Sequence, residues 1–226
     1  VAQSPAMDCP LCATPTDAFA QNAQRAYRLC PLCRLISVPP EHLPGREEEE
    51  LRYREHENSL DNPGYVAMFL DKVRHLQEHC PEAETALDYG CGYEPVLATL
   101  LEREGYHAEK YDSIFFPQLP EGARFDLVIS TETFEHFHRP ARELQTIRRL
   151  LRPAGFLAVM TRFYTEAGET PNAAAFLNWY YQRDPTHVCF YRLATFDWIA
   201  RAHGFQHVFD NGKDFILLQR VGGAAA

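Results

Sequence analysis

The stretch Ala86-Leu87-Asp88-Tyr89-Gly90-Cys91-Gly92-Tyr93-Glu94-Pro95 decides the fold. It is a short apolar run, an acid and a tight glycine turn. Thr85–Leu87 suits a buried strand that ends at Asp88, and Val96–Glu104 reads as a helix opening after Pro95. Gly90 and Gly92 let the backbone turn sharply and approach a ligand closely, which a Cβ would block. On its own, such a turn also fits any ordinary strand-to-helix connection.

The next segment narrows the choice. His107–Tyr111 reads as a second strand, and Asp112 closes it twenty residues beyond Gly92. An acid at that spacing, at the end of the second strand of a nucleotide-binding α/β unit, reaches ribose hydroxyls.

With these residues in place the chain resembles the class I S-adenosylmethionine-dependent methyltransferases. Asp88-Tyr89-Gly90-Cys91-Gly92-Tyr93-Glu94 is similar to their Asp-x-Gly-x-Gly-x-Gly motif, with Glu94 in place of the last glycine. Downstream, Phe125–Ser130, Glu132-Thr133-Phe134-Glu135-His136-Phe137 with Pro140, and Leu150-Leu151-Arg152-Pro153-Ala154-Gly155-Phe156-Leu157 resemble three family features in order. These are the fourth strand, the Glu-His turn with its helix, and the Leu-x-Pro-x-Gly turn into strand five. The resemblance covers roughly residues 60–220 and implies S-adenosyl-L-methionine as cofactor. It implies that Asp88, Gly90, Cys91 and Gly92 line the methionine moiety, that Asp112 binds the ribose, and that Thr131 and Glu132 stand beside the methyl group.

At 226 residues the chain can bury one α/β core and a small appendage. No apolar run approaches the ~20 residues of a membrane span, and the polar start lacks the pattern of a secretory signal. A cytoplasmic protein with no membrane partner is expected. The net charge of −9 argues against general polyanion binding, which needs clustered Lys and Arg. The acidic run Glu47–Glu50 reads as a solvated helix face.

Of the 7 cysteines, four form Cys9-Pro10-Leu11-Cys12 and Cys30-Pro31-Leu32-Cys33, separated by residues 13–29. That spacing suits two thiolate knuckles closing on a tetrahedral structural Zn2+. Metal binding would also hold together a segment too small to fold alone. Cys80 and Cys189 have no such spacing.

The expected organisation is a zinc ribbon over 1–40, a helical linker or lid over 41–82, the cofactor-binding domain over 83–220 and a flexible tail over 221–226. Ribbon strands are expected at 26–29 and 35–38, and lid helices at 46–57 and 63–80. The core reads as strand 85–89, helix 95–105, strand 107–112, strand 125–131, helix 140–151 and strand 155–162. A helix over 173–181, a helix over 195–203 and strands 205–210 and 214–220 follow, the last two joined at Asn211-Gly212. Only residues 113–125 separate Asp112 from Asp126, whereas a helix and a strand there need about thirty residues. One βα unit is therefore expected to be missing after the second strand, leaving a Rossmann-like α/β sheet of about six strands with a terminal antiparallel hairpin. Phe115 or Phe116 would then cover the adenine face or pack in the core.

The acceptor side is expected in the region after strand five, with Trp179, Tyr180, Tyr181 and Asp184 as substrate-contacting candidates. His187 is a candidate base or a brace to backbone carbonyls, and His136 is a second candidate with the same alternative. His56, Asn58 and Tyr65 are candidates for a lid. The leading expectation is methyl transfer to a small-molecule acceptor. An RNA methyltransferase that uses its ribbon for substrate, and a non-catalytic cofactor-binding protein, are the competing readings.

Overall fold

The computed structural model describes residues 7–54, 59–119, 122–165 and 171–222. The N-terminal part contributes four strands: β1 (Met7–Asp8), β2 (Pro15–Gln21), β3 (Ala26–Leu29) and β4 (Ile36–Ser37). Helices α1 (Arg46–Arg54) and α2 (Pro63–His79) lead to β5 (Thr85–Tyr89), α3 (Val96–Arg103) and β6 (His107–Tyr111). Then come β7 (Phe125–Thr131), α4 (Pro140–Leu150), β8 (Leu151–Met160), α5 (Ala173–Asn178) and β9 (Cys189–Phe190). Helix α6 (Leu193–His203) and the hairpin β10 (Phe205–Asp210) and β11 (Phe215–Arg220) end the fold.

The main sheet has six strands in the order β10-β11-β8-β7-β5-β6. Strands β6, β5, β7 and β8 run parallel, and the terminal hairpin adds antiparallel at β8. This is the expected class I methyltransferase sheet without its third strand. Among the described residues between Asp112 and Phe125 only an isolated bridge, Asp112 to Phe116, is formed, so β6 is left as an edge. Its exposed His107, Glu109 and Lys110 guard that edge against pairing with another chain.

Alternation along the strands builds two cores, one on each face. Leu87, Val128, Leu157, Val159, Ile216 and Leu218 face α4 and α6. Ala86, Leu127, Ile129, Ala158, Phe215 and Leu217 face α2 and α3. Asn62 caps α2 by accepting from the Tyr65 amide at 3.1 Å, with Pro63 at the first helical position. The hairpin turns where Asn211 Oδ1 accepts from the amides of Lys213, Asp214 and Phe215.

The N-terminal strands do not form a separate layer. They belong to a five-stranded sheet, β1-β2-β3-β4-β9, whose last strand comes from the segment after β8. Ile36 pairs with Phe190 and Ser37 with Cys189, and Tyr27, Leu35 and Ile36 share the core that contains Phe176, Phe190 and Phe196. The two parts are thus packed around common apolar residues.

Candidate cofactor and acceptor site

A cavity of about 680 Å3 opens at the carboxyl ends of β5, β6 and β7, the place where parallel α/β sheets present ligands. The glycine loop forms one wall. The amides of Gly90 and Cys91 donate to the Tyr111 carbonyl at 2.7 and 3.1 Å, tying the loop to the end of β6. Asp112 links both sides of this junction. Its Oδ2 accepts from the Gly92 amide at 3.2 Å, and its Oδ1 accepts from the amides of Ile114 at 2.8 Å and Phe115 at 3.1 Å. A carboxylate has about four acceptor positions, so Asp112 keeps capacity for a ligand.

Asp88 is 1% exposed; its Oδ2 accepts from the Ala98 amide at 3.2 Å. Its Oδ1 is buried with no partner among the described residues. Burial, helped by the nearby Asp112 charge, pushes the carboxyl up to about 7. A buried acid with a bare oxygen beside a cavity is a seat for a cationic or donor group. Asp88, Gly90, Cys91, Gly92, Asp112, Thr131 and Glu132, all expected on the cofactor side, line this one cavity.

The other end is built by the 3-10 turn Phe134–His136 and the segment before β9. Tyr181 donates its hydroxyl to Glu135 Oε1 and lies 3.4 Å from Glu132 Oε2. His136 Nδ1 meets the Thr186 carbonyl at 3.0 Å, and His187 Nδ1 meets the Tyr181 carbonyl at 2.8 Å. A carbonyl only accepts, so each imidazole carries a proton on Nδ1 and points its Nε2 away from that bond. Both histidines brace the loop through Nδ1, and the bracing leaves Nε2 as the second ring nitrogen of each.

Burial holds His136 down to about 4, so it stays neutral at physiological pH. Glu132 faces the cavity, and enclosure by the cavity wall, reinforced by the Glu135 charge, pushes its carboxyl up. Glu132 also has φ +48 at the end of β7, a left-handed conformation that a non-glycine residue adopts at a cost.

Helix α1 covers this end. Tyr53 packs edge-on against His136 with ring centroids 5.1 Å apart, and Arg52 bonds Asp184 Oδ2 at 2.9 Å. Glu49 lines the cavity and pairs with His138 at 2.8 Å. The acidic run of α1 is therefore not one solvated face. Glu47 and Glu48 are exposed, while Glu49 turns inward because the helix lies across the cavity. Tyr65 lines the cavity from α2; His56 and Asn58 lie outside the described residues.

Some expected residues sit elsewhere. Trp179 is not on the cavity wall but packs among Tyr164, Phe176, Tyr181 and Phe190. Asp184 is likewise off the wall and anchors its own loop. Burial raises its carboxyl, but bonds from Thr186 and Arg52 outweigh burial and hold it below the usual range. Ser113 and Ile114 line the cavity where Phe115 or Phe116 had been expected. Phe115 packs on Tyr93, and Phe116 lies under the Lys110 ammonium. Tyr180 and Tyr181 do line the cavity.

One residue that sequence reasoning missed organises the acceptor loop. Arg25, 7% exposed, donates to the carbonyls of Gln182, Asp184, Pro185 and His187, and to the Tyr27 hydroxyl at 2.8 Å. Tyr27 in turn donates to Gln182 Oε1 at 2.5 Å. The N-terminal strands thus clamp the backbone around His187.

Cys9, Cys12, Cys30 and Cys33 converge, with every Sγ within 4.8 Å of the others. The Cys9–Cys33 and Cys12–Cys30 sulfurs are 3.5 and 3.4 Å apart. Disulfide sulfurs lie at about 2.05 Å, whereas sulfurs around a tetrahedral zinc stand about 3.8 Å apart, so the spacing fits a shared metal. The two pairs also share one backbone shape. Ala13 donates to the Cys9 carbonyl and Arg34 to the Cys30 carbonyl, with φ +58 and +64. Sharing a proton with Cys33 pulls Cys9 down to about 6, while burial pushes Cys30 up to about 11.

A sheet of this order with a glycine loop and an acid at its switch point defines a methyltransferase-type cofactor fold. The family described as a methyltransferase domain matches residues 54–208, and the chain belongs to that family. An O-methyltransferase family protein from Burkholderia thailandensis is similar in structure, with 18% identity and a TM-score of 0.53, over 78% of this chain and 64% of that one. This chain therefore spans less than two thirds of that relative. The 1,6-didemethyltoxoflavin-N1-methyltransferase of Burkholderia thailandensis was solved with 1,6-didemethyltoxoflavin and S-adenosylhomocysteine bound. It matches over 91% of this chain and 99% of its own, at 18% identity and a TM-score of 0.54. These likenesses show a shared fold. No curated protein matches the sequence. No helix among the described residues is long and apolar enough to cross a membrane.

Proposed function

We propose that this methyltransferase uses S-adenosyl-L-methionine to methylate a small-molecule acceptor, and that its four clustered cysteines hold a structural zinc. The observation that carries the reading is one continuous cavity. It runs from the glycine loop with Asp88 and Asp112 to the Glu135–His136–His187 end. When bound, the cofactor supplies a methyl on a positive sulfur that an acceptor lone pair displaces, the S–C electron pair staying on sulfur. Acids on the wall, among them Asp88, Asp112 and Glu143, favour that positive charge. Asp88 Oδ1 would take the amino group and Asp112 the ribose hydroxyls. Helix α1 excludes water, and the polar end orients the acceptor within reach of the methyl. Where no metal ion occupies that end, the acceptor's proton passes to an imidazole Nε2.

A small acceptor fits better than RNA. The ribbon's Arg25 and Arg28 are turned inward onto carbonyls, Arg28 reaching Thr16 O at 2.5 Å, and are not free for phosphate. Calorimetric titration with S-adenosylhomocysteine should give one site per chain. A folded, zinc-loaded protein that produces no binding heat would refute the cofactor assignment.

Asp88 makes the binding pH-dependent. Its folded pKa is raised to about 7, against about 4 in the unfolded chain. Between those values the folded state holds a proton the unfolded chain has lost, so the ligand-free fold loses stability as pH rises through that window. An ammonium group seated on Oδ1 favours the ionised form. S-adenosylhomocysteine should therefore bind more tightly at pH 8 than at pH 6, with proton release near pH 7 visible in buffers of different ionisation enthalpy. Asp88→Asn should flatten the profile, and a wild-type affinity independent of pH would remove Asp88 from the amino-group contact.

A further inference from the structure

Beyond the glycine loop and the cysteine cluster, Glu135, His136 and His187 form a second group of ligand-type atoms. One such atom from each lies within 4.8 Å of those of the others. Three observations separate this group from a chance meeting of polar side chains. Glu135 is 0% exposed, and its Oε2 has no hydrogen-bond partner among the described residues. A buried carboxylate oxygen left bare is costly unless something positive or protic meets it. Each histidine is fixed through Nδ1 to a backbone carbonyl, His136 to Thr186 and His187 to Tyr181. That arrangement orients the opposite nitrogen and raises its basicity, as outer partners of metal-bound histidines do. Finally, both histidines line the cavity, so a bound ion would keep positions open to a ligand.

We propose that Glu135, His136 and His187 bind a divalent first-row transition metal, distinct from the zinc of the cysteine ribbon. Two imidazoles and one carboxylate select ions of the Zn2+ and Fe2+ type over Mg2+ or Ca2+, which prefer all-oxygen sites. Ligand atoms at about 2.1 Å from a shared ion stand about 3.0–3.4 Å apart in octahedral or tetrahedral geometry. From a spacing of up to 4.8 Å the group contracts by at most about 1.4–1.8 Å, which rotation of the three side chains supplies. The open positions face the cavity and suit an acceptor that binds through a hydroxyl or an enolised carbonyl oxygen. Coordination acidifies that oxygen, and its proton leaves to water in the cavity while the imidazoles stay on the metal. The acceptor role rests on the methyltransferase reading; the metal site does not.

A rival lies on α2, where His75, Glu78 and His79 also come within 4.8 Å. There the rings are engaged in packing, His75 against Phe209 and Phe215 and His79 against Phe209. Among the described residues no backbone carbonyl fixes either ring, and Glu78 is exposed.

The test is a Co2+ titration of the full zinc-loaded chain, read by visible absorption and by metal analysis after gel filtration. The expected result is one further equivalent of Co2+, with weak d–d bands and no thiolate charge-transfer band. Glu135→Gln and His187→Gln should each weaken that equivalent at least tenfold, and His75→Ala should leave it unchanged. Unchanged S-adenosylhomocysteine heat in each variant certifies folding, and His136→Gln serves if either of the first two fails that check. Absence of a second equivalent, its persistence in Glu135→Gln and His187→Gln, or its loss in His75→Ala would each overturn the proposal. Metal binding without S-adenosylhomocysteine heat would instead sink the methyltransferase reading and leave the metal site standing.

Discussion

Replacing Cys30 by serine is expected to melt residues 7–38 together with the loop that carries His187, while S-adenosylhomocysteine still binds. The ribbon strands are short, two of them only 2 residues long, and a segment of this size does not fold on its own. A structural zinc contributes folding free energy of about 10 kcal/mol or more to such a module. Serine in place of one thiolate removes most of it. The damage should then spread along two links. Strand β4 pairs with β9, so losing the ribbon frays the strand directly after Val188. Arg25 would also leave the carbonyls of Gln182, Asp184, Pro185 and His187, and each buried carbonyl without a partner costs about 1–3 kcal/mol. The glycine loop, Asp88 and Asp112 belong to the main sheet and touch none of these links. Hydrogen exchange over residues 180–190, run beside calorimetry with S-adenosylhomocysteine, reads both ends at once. Arg25→Met breaks the second link while keeping the thiolates, and should expose the same residues to a smaller degree. Protection of 180–190 that survives in both variants would show that the ribbon is not the scaffold of the acceptor loop.

That coupling marks the boundary of what the sequence disclosed. The βαβ order, the missing unit after Asp112 and the terminal hairpin were legible because each depends on local periodicity, turn residues and counting. The 3.6-residue period of α2 with its Asn62 cap, and the Asn211-Gly212 turn, are local in the same sense. The convergence of Cys9, Cys12, Cys30 and Cys33 was legible because the spacing within each pair is itself a local geometry. What stayed hidden depends on partners far apart in the chain. Strand β9 has 2 residues and no sequence signature, and it exists because β4 presents an open edge to it. Arg25 carried no signal in the sequence, since nothing nearby announces carbonyls more than 150 residues away. Glu49 was hidden inside a run that composition assigns to solvent. Trp179 carried the opposite error, because an aromatic cluster in sequence does not reveal which ring faces the ligand and which fills the core. In the candidate site, the glycine-loop end of the cavity could be read from residues 86–95 and the strand ends at Asp112 and Thr131, because each is a local signal. The acceptor end required the docking of α1, the Glu135 turn and the ribbon-clamped loop.

The two loop glycines should fail in opposite ways when each is replaced by alanine. At Gly90, φ is +87, and a Cβ would stand 2.2 Å from Thr133 Cγ2, 2.5 Å from its Oγ1 and 2.9 Å from its Cβ. Thr133 has little freedom to yield. Its hydroxyl lies 3.2 Å from the Gly90 carbonyl and 2.9 Å from the Thr131 carbonyl, and its β-branched side chain is stiff at χ1. Overpacking of this kind costs about 1–3 kcal/mol, and the positive φ adds about 1–2 kcal/mol for a residue with a Cβ. For a chain of this length that lowers Tm by roughly 5–15 °C. At Gly92, φ is +67 but nothing lies within 4 Å of the added Cβ, so only the backbone term applies and Tm should fall by roughly 2–5 °C. The open space at Gly92 borders the cavity, on the side where the cofactor is proposed to lie. Gly92→Ala should therefore weaken S-adenosylhomocysteine binding at least tenfold while the protein stays folded. Gly90→Ala should lose stability first, and Thr133→Gly in the same chain should restore part of it by removing the obstructing atoms. If Gly92→Ala binds S-adenosylhomocysteine as tightly as the parent protein, the space beside that residue is not where the cofactor sits, however well the motif is spelled.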